Sequence, residues 1–311
     1  MGLDINGTRF LLYARKLGVD FSRTAMIGRQ RLNLSAAALR RNLKDFSVAV
    51  SATEAEDLMR ADNGYAESFL RKLGAVEIDS FDASAYENAT CIHDFNFPLS
   101  EKFFGRFSLV LDGGTLEHIF NFPQAVSNCM RMLESGGHYL GITPANNFAG
   151  HGFYQFSPEL YFRIFSQSNG FAVRQMLAFE SERDSAMAWD SARRCTRWYE
   201  VADPEVVKDR VTLVNRCETY LLVIAQKTAT LPIFATPIQQ SDYAALWEFA
   251  KPGPAAPART VAVWRSLVPT ALERPIRAAR RWIRAHRARA RFGFDTRYFR
   301  KLPHAPGPGE E

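Results

Sequence analysis

The chain has 311 residues, of which 47% are hydrophobic and 23% are charged, an ordinary balance for a globular protein. This composition excludes a disordered, fibrous or repeat protein, and no apolar run approaches the roughly 20 residues that span a bilayer. Charge is unevenly distributed, because residues 251–311 hold 14 Lys and Arg against 4 Asp and Glu, which leaves 25 basic and 29 acidic residues elsewhere. The chain therefore combines a slightly acidic body with a strongly basic C-terminal segment.

The first 75 residues contain patterns typical of one buried strand and three helices. The strand is an apolar run that ends at Gly28. Amphipathic spacing, a serine N-cap at Ser35 and a closing glycine at Gly74 indicate the helices. The predicted ranges are 8–17 (helix), 23–28 (strand), 34–46 (helix) and 65–74 (helix).

From residue 75 onward, short apolar strands alternate with helices. The predicted ranges are 75–82, 89–96 and 107–114 (strands), 123–137 (helix), 138–144 (strand), 157–170 (helix), and 171–179 and 217–227 (strands). This alternation predicts a mostly parallel sheet that is covered on both faces. Ligands of such sheets bind outside the carboxyl ends of the strands, so the residues at the strand ends are the first candidates for a site.

The domain organisation predicted from composition has three parts. Residues 1–228 form the α/β domain, residues 229–260 a linker that is rich in Pro and Ala near its end, and residues 261–311 a basic helical tail. The four cysteines have no paired spacing typical of a zinc site or a disulfide framework, which makes a reduced, cytoplasmic setting the expectation.

Three carboxylates end apolar runs: Asp82, Asp94 and Asp112. One acid at a strand end can accept both hydroxyl hydrogen bonds of a ribose, and another can accept from an adenine amino group. The alternative is that each aspartate only caps the turn that follows it.

Residues 20–226 resemble a class I S-adenosylmethionine-dependent methyltransferase. The stretch that carries the resemblance is 107–144, "FSLVLDGGTLEHIFNFPQAVSNCMRMLESGGHYLGITP", in which an apolar strand ends in an aspartate and "LESGG" leads from a helix into the next strand. The resemblance implies a Rossmann-like sheet, mostly parallel with a late antiparallel hairpin, and S-adenosylmethionine as cofactor. It implies that Asp82, rather than Asp79, lies near the ribose, Asp94 near the adenine, and Asp112, Gly113 and Gly114 near the methionine end.

Shorter motifs resemble a bacterial subgroup of methyltransferase-like proteins that is often associated with polysaccharide gene clusters. These motifs are "GRQ", "DFN", "DGGTLEH" and "GHGFYQFSPE". The resemblance implies a small-molecule or glycan-linked acceptor and a role in polysaccharide biosynthesis.

The sequence departs from the family at the loop after the first strand of the sheet. The family has a glycine-rich loop there, whereas this chain has Gly28, Arg29 and Gln30. We expect these three residues to border the cofactor site. Arg29 can meet an anionic group such as a carboxylate or a phosphate, which would also suit another nucleotide, or it can be an exposed arginine in a turn.

Candidate catalytic residues follow the strand that ends at Asp112. His118 has the ordinary pKa of a general base, and Glu117 can orient it or bind substrate. The alternative is that Glu117 favours the positive end of a helix and that His118 packs against the sheet.

A second group of candidates lies in residues 144–159, "PANNFAGHGFYQFSPE". A loop this rich in polar and aromatic residues is typical of an acceptor-binding lid. His151 can project freely from the loop, Tyr154 and Gln155 can hydrogen-bond a hydroxylated substrate, and His151 and Tyr154 are candidate catalytic residues. The alternative is a structural loop anchored by its phenylalanines. No metal motif is apparent in the sequence: Glu117 and His118 could meet His151, but the spacing does not show it.

The basic tail has three interpretations. It can lie on an anionic membrane surface, dock on the acidic body or on a protein partner, or bind nucleic acid. The absence of interleaved aromatic residues makes nucleic acid the least favoured of these, and a solvated appendage also fits. The expected localisation is cytoplasmic, with peripheral attachment to the inner membrane face if the first interpretation holds.

Two functions from different classes fit the sequence. The first is a methyltransferase that uses S-adenosylmethionine, and the second is a non-catalytic protein of the same fold that serves in binding or as a scaffold. The loop of Gly28, Arg29 and Gln30 is the feature that separates them.

Overall fold

A computed structural model describes residues 2–181, 197–207, 213–243, 293–303 and 305–306. The helices in this part of the chain are α1 (Ile5–Lys16), α2 (Ala36–Asp45), α3 (Ala52–Arg60), α4 (Glu67–Lys72), α5 (Phe122–Met132), α6 (Pro158–Ile164) and α7 (Pro204–Val207). The strands are β1 (Gly2–Leu3), β2 (Arg23–Ile27), β3 (Arg31–Leu32), β4 (Glu77–Asp82), β5 (Cys91–Ile92), β6 (Phe107–Asp112), β7 (Leu133–Asn146), β8 (Phe171–Ser181), β9 (Trp198–Val201), β10 (Leu213–Val214), β11 (Glu218–Lys227), β12 (Gly293–Phe294) and β13 (Phe299–Lys301).

Nine of the described strands form one sheet, in the order β13-β9-β8-β11-β7-β6-β2-β4-β5. The neighbours from β5 to β7 are parallel, whereas β11 runs antiparallel to both β7 and β8. Two further antiparallel pairings, β8 with β9 and β9 with β13, extend that side. The predicted fold is therefore confirmed: a mostly parallel, Rossmann-like α/β sheet with a late antiparallel hairpin.

The sheet has a hydrophobic core on each face, because successive strand residues point to opposite sides. In β2, Ala25 and Ile27 join one core while Met26 joins the other. Helices α5 and α6 cover the first face, and α1, α2 and α4 cover the second. Both faces of the sheet are thus buried, as the near-continuous apolar runs of the central strands predict.

Local sequence signals explain most helix boundaries. The side chains of Ser35 and Ser157 accept the capping N–H groups of α2 and α6, and Pro158 occupies the first position of α6, where its missing N–H costs nothing. Helix α3 was not predicted, although a reciprocal capping box between Ser51 and Glu54 marks its start.

The predicted helix 123–137 is wrong at its C-terminal end. Helix α5 ends at Met132, and the chain continues directly as β7. Gly137 does not act as a helix stop, because it lies within β7. A Cβ at this position would lie 3.0 Å from the carbonyl oxygen of Phe107. The glycine instead permits close approach of β7 to β6.

The predicted domain boundaries stay a prediction, and the structure describes part of the predicted linker and of the predicted tail. In residues 229–243, the Phe234 N–H donates to Oδ1 of Asn169 and the Ser241 hydroxyl donates to Oε2 of Glu159, so this part of the predicted linker contacts the α/β domain. Residues 299–301 return to the main sheet as β13. The rest of the predicted linker and the predicted basic helix, residues 244–292, lie outside the described residues. Among the helices that are described, none has the length and apolarity that a bilayer crossing requires.

Candidate functional site

The predicted site residues meet at the carboxyl edge of the parallel strands. Ile27, the last residue of β2, is in register with Phe81 of β4 and with Asp112 of β6. Strand β4 ends at Asp82, as predicted, whereas Asp79 lies within the strand and pairs with Arg106 at 3.0 Å. Strand register therefore aligns the ends of three strands.

The loop after β2 turns at Gly28, whose φ is +69°, a conformation that favours glycine. The Gly28 N–H donates to the carbonyl of Phe81 at 2.7 Å. The loop then continues into β3, which pairs in parallel with β1 at the N-terminus of the chain. The loop is consequently fixed to the body of the protein on both sides.

Arg29 is neither an exposed turn residue nor available to an anionic ligand. Its Nε lies 2.6 Å from Oε1 of Glu67, in a pair whose side chains are 15% and 11% exposed. Its guanidinium stacks 4.0 Å from the ring centroid of Tyr65 and donates to the carbonyl of Glu87 at 3.0 Å. The protein itself thus satisfies this cation.

Gln30 is fully buried and lies against Gly113. Its Nε2 donates to the carbonyls of Ile27 and Gly28 at 3.2 and 3.1 Å. Its Oε1 has no hydrogen-bond partner among the described residues. The side chain therefore fills space between the ends of β2 and β6, beside the predicted methionine end of the cofactor site.

Asp112 is fully buried and is committed to internal hydrogen bonds. Its Oδ1 accepts from the N–H groups of Thr115 and Leu116 at 2.8 and 3.3 Å, and its Oδ2 accepts from the Tyr139 hydroxyl at 3.0 Å. Burial raises the pKa of Asp112 to about 6, against the lowering effect of these bonds. Its geometry is that of a cap for the turn after β6, where Gly114 has a φ of +94°.

Asp82 and Asp94 are half-buried at the same edge. Oδ1 of Asp82 accepts from the Ser84 N–H at 3.2 Å, and Oδ1 of Asp94 accepts from the backbone and side chain of Asn96 at 2.9 and 2.8 Å. Each aspartate shapes its own turn and keeps part of its side chain accessible. The capping and ligand-binding interpretations are compatible at these two positions.

Glu117, His118 and His151 form a cluster beyond the end of β6. Glu117 and His118 lie in a 3-10 turn, Leu116–His118, and His151 lies in the loop after β7. Nε2 of His151 is 3.6 Å from Oε1 of Glu117, and the two imidazole centroids are 5.1 Å apart. Burial and the nearby carboxylate of Asp112 raise the pKa of Glu117 to about 8. Burial and the His151 imidazole lower the pKa of His118.

The predicted lid loop packs against the turn that carries this cluster. The N–H groups of Phe153 and Tyr154 donate to the carbonyl of Glu117 at 2.9 and 3.3 Å. The Tyr154 hydroxyl donates to the carbonyl of Phe120 at 2.6 Å, and Gln155 accepts from the Phe148 N–H at 2.8 Å. The side chains of Tyr154 and Gln155 therefore make hydrogen bonds to the protein backbone, while the exposed His151 projects from the loop.

A separate cavity of about 580 Å³ lies between the N-terminus of α6, the end of β7 and residues 238–242. Its lining includes Asn146, Glu159, Arg163 and Tyr298, and none of the predicted site residues. The predicted site at the carboxyl ends of β2, β4 and β6 and this cavity are distinct places on the protein.

Several residues that shape the site were not predicted from the sequence. Glu67 neutralises Arg29, Tyr139 donates to Asp112, and the Thr115 hydroxyl donates to the carbonyl of Ile27 at 2.5 Å. Thr115 and Tyr139 both lie in the stretch that carries the family resemblance, residues 107–144, whereas Glu67 lies outside it. All three contacts join positions that are far apart in the chain, so they required the fold.

Comparisons with known proteins found similarity to solved structures only at the level of overall architecture. The chain matches no protein-family model and no curated protein. A candidate methyltransferase from Bacillus halodurans is 11% identical, with 71% of this chain and 99% of that chain covered and a TM-score of 0.37. An S-adenosylmethionine-dependent methyltransferase from Thermotoga maritima is 14% identical, with coverage of 72% and 90% and a TM-score of 0.36. A branched-chain polyamine synthase from Thermus thermophilus is 12% identical, with coverage of 74% and 58% and a TM-score of 0.33.

Proposed function

We propose that the protein is an S-adenosylmethionine-dependent methyltransferase that acts on a small-molecule or glycan-linked acceptor. The observation that carries this proposal is the grouping of polar residues at one edge of the parallel sheet. Asp82 ends β4, Asp94 follows β5, and the cluster of Glu117, His118 and His151 follows β6. This edge is where open α/β sheets bind nucleotide-like ligands.

The residues at this edge suit the nucleoside part of the cofactor. Asp82 would accept hydrogen bonds from the ribose hydroxyls, and Asp94 would accept from the adenine amino group. Both carboxylates are accessible at this edge. The bound cofactor would supply a methyl group on a sulfonium centre.

The residues beyond β6 would act on the acceptor. Methyl transfer depends mainly on positioning, with a base when the acceptor is a hydroxyl. The imidazoles of His118 and His151 are exposed and lie close together, and either would take up the hydroxyl proton. Tyr154 would position the loop through its bond to the carbonyl of Phe120.

A non-catalytic binding or scaffold protein is the second candidate, and the position of Gln30 favours it. This buried side chain lies against Gly113 and narrows the place where the methionine end of the cofactor would lie. A third possibility was an enzyme for another nucleotide that binds a phosphate through Arg29. The structure does not favour it, because the Arg29 guanidinium already pairs with Glu67 and donates to the carbonyl of Glu87.

Titration calorimetry with S-adenosylmethionine and S-adenosylhomocysteine distinguishes the two candidates. We expect the wild type to bind both and Asp82→Ala to bind at least about 10-fold more weakly, since hydrogen bonds to a charged group contribute about 1.5–3 kcal/mol. Glu77→Ala is the matched control, because Glu77 is an exposed acid at the opposite end of β4. The absence of binding heat at millimolar ligand would refute the methyltransferase proposal and leave the non-catalytic binding or scaffold protein.

The role proposed for the basic tail rests on its sequence alone. Its predicted helix lies outside the described residues, so an anionic membrane surface and a protein partner remain proposals that rest on the charge of residues 251–311. Nucleic acid is the less favoured partner. Peripheral attachment to a membrane would follow from the first of these.

A further inference from the structure

Three metal-ligating side chains converge beyond the end of β6. Glu117, His118 and His151 each offer one ligand atom, and these three atoms lie within 4.8 Å of one another. Nε2 of His151 and Oε1 of Glu117 are 3.6 Å apart. Glu117 and His118 are adjacent in sequence, but His151 reaches them only because the loop after β7 folds over the turn after β6.

The backbone fixes this arrangement. The Glu117 carbonyl accepts the N–H groups of both Phe153 and Tyr154, which joins the two loops directly beside the cluster. Gly152 permits the approach, because a Cβ there would lie 2.9 Å from the Glu117 carbonyl oxygen and 3.2 Å from Nδ1 of His118. The spacing of the three side chains is thus a property of the fold.

The carboxyl group of Glu117 is buried without a full set of hydrogen-bond partners. Its side chain is 2% exposed, and its Oε2 has no hydrogen-bond partner among the described residues. Leaving a polar oxygen buried without a partner costs about 1–3 kcal/mol, and more when the group is charged. A cation at the mouth of this site would offset that cost.

We propose that Glu117, His118 and His151 bind a divalent transition-metal ion of the Zn²⁺ type. A tetrahedral ion with bonds of about 2.0–2.2 Å holds its ligand atoms roughly 3.4 Å apart, close to the 3.6 Å between Glu117 and His151. The exposed His118 and His151 can close the remaining distance by small side-chain rotations. Two imidazoles with one carboxylate favour such an ion over Mg²⁺, which prefers oxygen ligands.

Three protein ligands leave at least one coordination position for another group. Because both histidines are exposed, this position would face the solvent side of the carboxyl edge, where an acceptor oxygen could bind. A metal ion lowers the pKa of a bound oxygen acid, so in a methyltransferase the ion would replace an imidazole as the means of activating the acceptor. The metal site itself rests only on the geometry of the three side chains and does not depend on the proposed methyl transfer.

The test is metal binding to the 311-residue chain, freed of any histidine tag and stripped with a chelator. Titration calorimetry with Zn²⁺ gives the affinity and the stoichiometry, and Co²⁺ as a second probe shows by its visible spectrum whether nitrogen and oxygen ligands or thiolates hold the ion. We expect one equivalent to bind and a spectrum without thiolate bands. His118→Ala and His151→Ala, both substitutions of exposed residues, should each weaken binding by more than about 100-fold, beyond the range seen for loss of an outer-shell partner.

The control is His93→Ala, which removes a histidine that lies outside the cluster and contacts Phe97 and Phe95. It should bind Zn²⁺ like the wild type. Glu117→Gln should also lose the site, with folding checked by circular dichroism. Failure of the wild type to bind Zn²⁺ at about 1 mM, which corresponds to a binding free energy weaker than about −4 kcal/mol, would overturn the proposal, and so would binding by both histidine variants as tight as that of the wild type. Neither result would bear on cofactor binding, which the calorimetry with S-adenosylmethionine tests separately.

Discussion

At the scale of single residues, the contact between Gln30 and Gly113 joins the two strand ends that frame the site. Gln30 cannot easily move away, because it is fully buried and its amide bonds to the carbonyls of Ile27 and Gly28. Gly113 therefore lacks a side chain for a local steric reason. The sequence pattern assigns this glycine to the approach of a ligand, which stays a prediction, and the structure adds that its missing side chain leaves room for Gln30.

Gly113→Ala should destabilise the protein by about 1–3 kcal/mol, the usual cost of overpacking a rigid site. The added Cβ would lie 2.4 Å from Oε1 of Gln30. Chemical denaturation of the wild type and the variant measures the difference in the free energy of unfolding.

The matched control for this prediction is Gly150→Ala. A Cβ added at Gly150 would have no heavy atom within 4 Å, so this change should stay within about 0.5 kcal/mol of the wild type. In a Gln30→Ala background the cost of Gly113→Ala should largely disappear. An equal cost in both backgrounds would show that Gln30 is not the cause.

Single residues also show what the sequence could predict about the site. The position of Asp82 at a strand end follows from a local apolar run, and the structure agrees. The role of Arg29 could not be foreseen, because its partner Glu67 lies 38 positions away. The convergence of His151 with Glu117 and His118 could be named from the sequence as a possibility but not predicted, since it depends on two loops that meet in space.

At the scale of elements, the central parallel strands were the most predictable part of the fold. Strand β6 is a fully buried run that ends in Asp112, β2 is a mostly buried run followed by Gly28, and β4 is buried only near its end at Asp82. Hydrophobic patterning and the residues that end each run identify such strands directly. The boundary between α5 and β7 was wrong because "LESGG" resembles a helix stop, whereas pairing with β6 draws Leu133 into the sheet. Tertiary pairing overrode the local signal there.

The two outer strands on the antiparallel side of the sheet, β9 and β13, were not predicted from the sequence. Strand β9 lies in the polar stretch between the two late strands, and β13 lies in the predicted tail. Short strands of three or four residues give little periodicity. Their place becomes evident only from burial: Phe299 is 5% exposed, and its ring lies 4.9 Å from that of Phe294 and 6.4 Å from that of Tyr199.

Phe299→Ala should destabilise the protein by about 3–5 kcal/mol, as expected for truncation of a buried phenylalanine. Phe97→Ala is the control, because Phe97 is 63% exposed and its loss should cost within about 0.5 kcal/mol. Denaturant melts of both variants measure the effect. Similar midpoints for the two variants would mean that β13 adds little to the sheet.

At the scale of the whole molecule, one sheet with a core on each face holds the site at the carboxyl edge of its parallel half. Contacts within the protein fix the strand ends and loops at this edge. Gln30 packs against Gly113, Glu67 pairs with Arg29, and the Tyr139 hydroxyl donates to Asp112. Among the predicted polar site residues, the two histidines are exposed and Asp82 and Asp94 are half-buried. A ligand would therefore meet a rigid floor with a small number of exposed polar groups.

The buried carboxyl of Asp112 should make the stability of the whole fold depend on pH. Burial raises its pKa from 3.8 to about 6, so the folded protein retains this proton to higher pH than the unfolded chain. The stabilisation is complete below about pH 4 and is lost as the pH rises to about 6. Two pKa units correspond to about 3 kcal/mol, which sets an upper limit for the effect.

Asp112→Asn removes this titration, together with the contribution that the Asp112 carboxylate makes to the raised pKa of Glu117. We expect the free energy of unfolding of the wild type, relative to that of the variant, to fall by up to about 3 kcal/mol between pH 4 and pH 7. Denaturant melts at a series of pH values, with a chelator present so that bound metal does not contribute, give both curves. If the difference between the two proteins instead grows with pH, the hydrogen bonds from Thr115, Leu116 and Tyr139 stabilise the charged form more than burial opposes it, and Asp112 is ionised throughout this range.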